Sequence, residues 1–278
     1  MKRPDVEPRI LPGFGPALGF TLLWLSVVVL APLAALVLSA LRMPPAEIAR
    51  IVAAPRVAAS IRLTFGLALA SAAVAAILGL LLAWVLVRHR LPGRRLLDAL
   101  IDLPFALPTA VAGIALTTLY APNGWLGRPL AALGIPVAFT PLGIGVALVF
   151  LGIPFAVRTL EPVLESLDPE VEDAATSLGA TAGQTFRRVL SPELLPALAT
   201  GFSLAFARGL GEYGSVVFIS GNMPMRTEVA PLLIMTKLEQ YDYAGATALA
   251  AVLLVASFLL LLAVNRLQAW GAGPAARG

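Results

Sequence analysis

Six stretches of this chain are long and apolar enough to cross a lipid bilayer as helices, and that restricts the fold more than any motif does. A hydrocarbon core about 30 Å thick takes roughly 20 helical residues, because each residue advances about 1.5 Å. The stretches are 17–41, 63–87, 103–120, 141–157, 194–219 and 244–264. The first, second and sixth carry no charge; the third begins beside Asp102 and contains Pro104 and Pro108; the fifth is interrupted by Arg208 and Glu212. Prolines inside membrane helices predict kinks whose freed backbone groups are shielded by neighbouring helices. The fold class is therefore an all-α membrane protein with six transmembrane helices. The expected organisation is a cytoplasmic N-terminal segment 1–16, a membrane domain 17–265 with a cytoplasmic loop 161–193, and a cytoplasmic tail 266–278. The opening run could serve as a signal peptide, but 25 uncharged residues exceed a typical signal core.

Composition excludes most enzyme chemistry. Of 278 residues, 59% are hydrophobic and 13% charged, a balance unlike that of an average soluble domain. Cysteine is absent and His89 is the single histidine, so thiolate metal sites, cysteine nucleophiles and imidazole clusters are ruled out by count. The only lysines, Lys2 and Lys237, lie outside any Gly-Lys-Ser/Thr context, so no phosphate-cradling Walker A loop is present. The chain is thus not expected to be an enzyme, nor to hold a cofactor, and any ATP would have to be hydrolysed by a partner. The net charge of +4 sits beside the apolar runs instead of forming a stripe, which speaks for membrane topology and against nucleic acid. With the N-terminus inside, the inner segments hold twelve basic residues and the outer loops seven, while Arg208 falls within a span. The bias favours cytoplasmic N- and C-termini, although four arginines between Arg42 and Arg62 run against it.

Between the fourth and fifth stretches the chain turns polar, and seven of its sixteen acids fall in 161–193. Asp168 is a good N-cap, Pro169 suits the first helical position, and Glu170, Glu172 and Asp173 put negative charge near a helix N-terminus. That helix should stop near Gly179. The Thr181 to Gln184 spacing predicts a capping box and a second short helix, with Ser191-Pro192-Glu193 restarting the chain as the fifth span. Two short helices around a glycine bend suit insertion into a groove of another protein.

The run Asp173-Ala174-Ala175, three residues, Gly179, nine residues, Val189-Leu190-Ser191-Pro192 resembles the EAA loop of ABC-importer permeases. It departs from that motif at Asp173, with Glu172 just before it, and at Val189 and Ser191. In that family the loop docks on the ATPase subunit, which the resemblance implies is the partner that binds ATP and its magnesium. The resemblance therefore implies coupling roles for Glu172, Asp173, Ala174, Ala175, Gly179 and Pro192: small alanines permit close approach, and Asp173 would meet a basic group. It also implies the MetI-like architecture of type I ABC importers.

A second resemblance covers the fifth span to the C-terminus. Gly211-Glu212-Tyr213-Gly214-Ser215, Ser220-Gly221-Asn222-Met223-Pro224, the 238–246 run and the Tyr120-Ala121-Pro122-Asn123-Gly124 turn are similar to the T-type permeases of bacterial sulfate/thiosulfate importers. Molybdate and tungstate permeases share part of these signatures. The resemblance implies a multi-pass chain of the bacterial inner membrane that forms half of a pore. Its partners would be a second, related permease in a heterodimer, a dimer of ATPases, and an extracytoplasmic sulfate-binding protein. Arg208, Glu212 and Ser215 are the pathway or gate candidates. Arg208 and Glu212, four residues apart, can also neutralise one another as a structural pair. Asn123 and Asn222 are the candidate contacts for the binding protein. A stand-alone channel or secondary carrier is the rival of a different class; it would have no use for a docking loop, and neither repeated halves nor several intramembrane acids are visible.

Overall fold

Small residues recur along three of the long helices, and this is what lets their backbones approach without a large-side-chain core. In the computed structural model, which describes residues 14–89 and 92–271, α3 (Pro55–Arg88), α7 (Pro141–Ser166) and α9 (Ala182–Leu210) pack together as the centre of the unit that begins at Ile51. Ala68, Ala72, Ala75, Ala76 and Ala83 of α3 are buried, as are Ala147 and Ala156 of α7 and Ala205 of α9. At Gly201 the fit leaves no room for a methyl: a Cβ there would lie 2.5 Å from Thr159 Oγ1 and 2.8 Å from the Ala156 Cα. Toward one end, Leu86, Leu160, Leu164, Leu190 and Leu194 take over as a leucine layer.

The remaining helices are α1 (Phe14–Leu41), α2 (Pro45–Ala53), α4 (Arg94–Ala106), α5 (Thr109–Tyr120), α6 (Gly127–Ala132), α8 (Pro169–Ser177), α10 (Val216–Ile219), α11 (Ala230–Glu239) and α12 (Tyr243–Gly271). The described residues form no strands. The chain divides into two units, Met1–Arg50 and Ile51–Gly278; the first contains α1, and the second the α3/α7/α9 centre. Five helices are long and apolar enough to cross a membrane: α1, α3, α7, α9 and, over Tyr243–Val264, α12. The pair α4–α5 is a sixth if taken as one broken span.

The helices of the second and fourth stretches are longer than in the sequence reading, Pro55–Arg88 and Pro141–Ser166, and two further stretches depart from it in kind. The 103–120 stretch is not a kinked span: α4 and α5 meet at 114°. Leu107 and Pro108 at the joint are extended, because the ring of Pro108 excludes the helical conformation at Leu107. The 194–219 stretch ends early, at Leu210, and begins early, at Ala182. No second short helix stands apart from it. A wide π turn over Phe186–Leu190 carries the helix through, and Ser191 Oγ donates to the Arg187 carbonyl at 2.9 Å. Pro192, which has no N–H to give, is thereby absorbed and does not restart the chain. The segment 1–13 and most of the tail lie outside the described residues.

Candidate functional site

The 161–193 segment folds around the bend that its residues announce. The Asp168 carboxylate accepts from the Glu170 amide at 2.9 Å and caps α8. The helix stops at Gly179, whose φ of 81° lies in the left-handed region that glycine adopts without a side-chain penalty. Thr181 and Gln184 form the reciprocal capping box: the Thr181 amide donates to Gln184 Oε1 at 2.8 Å and the Gln184 amide to Thr181 Oγ1 at 3.4 Å.

This hairpin is tied to the centre at one charged point. Glu172 and Arg88, the last residue of α3, form an ion pair at 2.5 Å. Arg88 also lies over the Trp84 ring, 5.5 Å from its centroid, and Trp84 meets Phe186 edge-on. Glu172 is therefore engaged inward, whereas Asp173 is exposed. Val171, Ala174 and Leu178 are exposed as well, Leu178 at 89%, and with the half-buried Ala175 they follow the i, i+3, i+4, i+7 spacing of one helical face. Pro192 is exposed on the first turn after the π segment.

At the other end of α9 the Gly211–Ser215 turn is closed upon itself. Arg208 pairs with Glu212 across one turn, and Glu212 is buried with its Oε1 accepting from both the amide and the hydroxyl of Ser215 at 2.9 Å. Each oxygen of that carboxylate has its own donor, as a buried charge requires. The turn rests on α5: a methyl at Gly113 would come within 2.5 Å of the Ser215 carbonyl oxygen, and one at Gly214 would collide with Thr109. Arg208, Glu212 and Ser215 are thus brought together. Ser203, a further hydroxyl on α9, donates to the Ala199 carbonyl.

No hydrogen bond among the described residues joins Asn123 to Asn222. Asn123, with Gly124 and Trp125, lines an open cleft of about 750 Å³ against Thr117, Thr118 and Leu119 of α5. Asn222 has a φ of 45° in a tight loop where the Met223 carbonyl accepts from the amides of Arg226, Thr227 and Glu228.

Two charge clusters escaped the sequence reading. Glu228 is buried and takes a bidentate fork from Arg56 at 2.7 and 2.6 Å; the partners are 172 positions apart and no local pattern links them. Arg158 of α7 is held by three carboxylates, Asp98 at 2.8 Å, Asp102 at 2.5 Å and Glu161 at 2.5 Å. Here a signal was available, because Asp98 and Asp102 stand four residues apart on one face of α4 and ask for a shared cation.

Comparison with known proteins agrees with this architecture. Residues 75–271 match the family described as binding-protein-dependent transport system inner membrane component. The sulfate transport system permease proteins CysT of Salmonella typhimurium and Escherichia coli are each 50% identical over 260 residues, 94% of this chain and of the relative. CysT of Synechocystis is 49% identical over 251 residues, 90% of this chain and 88% of the relative. Among solved structures, a bacterial ABC transporter that imports the acidic polysaccharide alginate superposes with a TM-score of 0.75 at 18% identity, over 91% of this chain and 94% of the other. The methionine transporter MetNI in an inward-facing conformation gives 0.56 at 18%, over 77% and 94%. The fold is accordingly that of type I ABC-importer permeases, and the chain belongs to the family of binding-protein-dependent transport system inner membrane components.

Proposed function

We propose that this chain forms half of the translocation pore of an ATP-driven importer of sulfate or thiosulfate, and that α8 is the element by which a separate ATPase drives it. The observation that carries this is the exposed face of α8 and its C-cap, Val171, Ala174 and Leu178, presented beside a glycine bend and tied to the membrane helices through Glu172 and Arg88. An apolar stripe that no described residue covers is the geometry of a helix laid into a partner's groove, and Asp173 beside it offers a charge to a basic group there. The oxyanion follows the sulfate permeases that are half identical over nearly the whole chain.

The partners are a second, related permease completing the pore, a pair of ATPases that bind ATP and magnesium, and an extracytoplasmic binding protein that approaches near Asn123 and Asn222. The α8 side faces the cytoplasm, as do both termini. ATP binding closes the ATPases, α8 moves with them, and α9 shifts the Gly211–Ser215 turn between inward-open and outward-open pores; hydrolysis resets the cycle. A sulfate dianion is costly to place in hydrocarbon, so its route needs donors and compensating charge. Arg208, whose side chain stays partly exposed beside its pair with Glu212, is the cation at the end of α9 that we assign to such a gate.

Purification of the tagged chain in mild detergent from its own membranes, with ATPase assay of the eluate, tests this reading. An ATPase and a second permease are expected to copurify, and Ala174→Trp is expected to shed the ATPase alone. A wild-type chain that elutes alone, from membranes in which other complexes survive, overturns it.

A further inference from the structure

Helix α4 is fastened to α7 in antiparallel register. Phe105 meets Phe155 edge-on with ring centroids 5.0 Å apart, Asp102 and Asp98 share Arg158, and Arg94 lies 3.6 Å from Glu165. The polar centre of this seam is a single guanidinium: its Nε donates to Asp102 Oδ1 at 2.9 Å and its NH2 to Asp102 Oδ2 at 2.5 Å, the two-pronged geometry that a planar guanidinium provides and an ammonium does not. Glu161, one turn along α7, takes the other terminal nitrogen. Three carboxylates on one cation leave the cluster with excess negative charge, so any separation of α4 from α7 would strand acids that repel one another. Two neighbours extend the chain of contacts. α7 leads through Leu167 directly into the cap of α8. At its far end α4 turns through 114° into α5, and α5 carries the Gly211–Ser215 turn against Gly113 and Thr109.

We propose that Arg158 is a positioning residue for transport: it makes α4 and the adjoining half of α7 one rigid strut, which carries the displacement of α8 to the Gly211–Ser215 turn by a route separate from α9. The inference rests on the importer reading above. The seam stays closed throughout the cycle, so that α5 moves whenever α8 does. Loss of Arg158 releases α4, and ATP hydrolysis then proceeds without moving the turn.

The test uses the complete transporter, with its binding protein, in proteoliposomes loaded with ATP, reading labelled sulfate uptake and phosphate release together. Arg158→Gln is expected to lower sulfate moved per ATP hydrolysed at least tenfold with hydrolysis within twofold of wild type, and Arg158→Lys, which keeps charge without the fork, to fall between. Since the chain has no cysteine, Asp102→Cys with Arg158→Cys gives a pair that a short, reducible bis-thiosulfonate reagent can join. Joined, this variant is expected to regain the lost coupling and to lose it again on reduction. An unchanged sulfate-to-ATP ratio in Arg158→Gln overturns the proposal, and so does a joined pair that blocks uptake until reduced, because the seam would then have to open. If Arg158→Gln fails to assemble, the joined and reduced double variant decides alone. Absence of sulfate uptake by the wild-type complex would count against the importer reading and not against the strut.

Discussion

Two polar inserts interrupt the membrane helices of this protein, and they are built in opposite ways. The 211–230 insert closes on itself: Glu212, Ser215, Thr227 and Glu228 are all buried, and each has a partner within the chain. The 168–185 insert lies open, with exposed Asp173, Ala174 and Leu178 and one charged tie to the centre. Buried polar groups need partners, and apart from the Asn222 amide oxygen the buried side chains of the closed insert find them within it or on Arg56, so this insert is scaffold. An open insert keeps its backbone order with local caps and leaves its side chains for something else. The difference separates a part that must hold position from one that must be gripped.

If that contrast is right, substitutions in the closed insert and the packed centre should cost global stability, and those in the open one should not. The largest effect is expected at Glu228→Ala, which leaves Arg56 without its fork. Removing one partner of a buried pair costs about 3–5 kcal/mol, and the partial exposure of Arg56 places this case near the low end, read as a lowered unfolding midpoint in detergent. Next comes Gly201→Ala in the helix centre: the backbone of Ala156 cannot yield as a flexible side chain would, and about 2 kcal/mol of overpacking is expected in the same assay. Thr181→Ala removes one half of the capping box and should weaken the start of α9 by about 1 kcal/mol, visible as faster amide exchange over 181–186 with an unchanged midpoint. The smallest effect belongs to Lys237 and Asp242, a half-buried pair at 2.6 Å. Its attraction, with the Gly245 amide, holds the Asp242 carboxyl below the ordinary value of 3.8. A depressed acid contributes stability that is full above its unfolded value and lost as pH falls through the folded one. Lys237→Met should therefore be slightly less stable than wild type at neutral pH, and the gap should close in that acid range. A Thr181→Ala protein that unfolds globally as readily as Glu228→Ala would erase the contrast.

How much of this could be read beforehand follows from the range of each interaction. The spans were legible because bilayer thickness imposes length and hydropathy on contiguous residues. The bend of the open insert was legible for the same reason: Asp168 caps the amide of Glu170, Thr181 and Gln184 cap one another three positions apart, and Gly179 acts through its own φ. The break between α4 and α5 was legible only as a kink, since its angle is set by what α4 and α5 pack against. The uninterrupted α9 was missed because Ser191-Pro192 normally ends a helix, and a π turn with a serine back-bond absorbs it. Arg56 with Glu228 and Arg158 with Asp98 lie across the fold, where a single sequence offers charge but no address. The candidate site was therefore visible where it is local, at α8 and the Gly211–Ser215 turn, and invisible where distant helices join.

In the proposed coupling, α8 transmits ATP-driven motion through a bend that only a left-handed residue can form. Its most direct measurement is labelled sulfate uptake by the reconstituted transporter carrying Gly179→Pro, beside ATP hydrolysis and a check of membrane insertion. Proline fixes φ near −65° and cannot take the φ of 81° found at this position. The variant is expected to be inserted and stable, with its ATP-dependent uptake abolished. Uptake at the wild-type rate in that variant would contradict the proposed coupling.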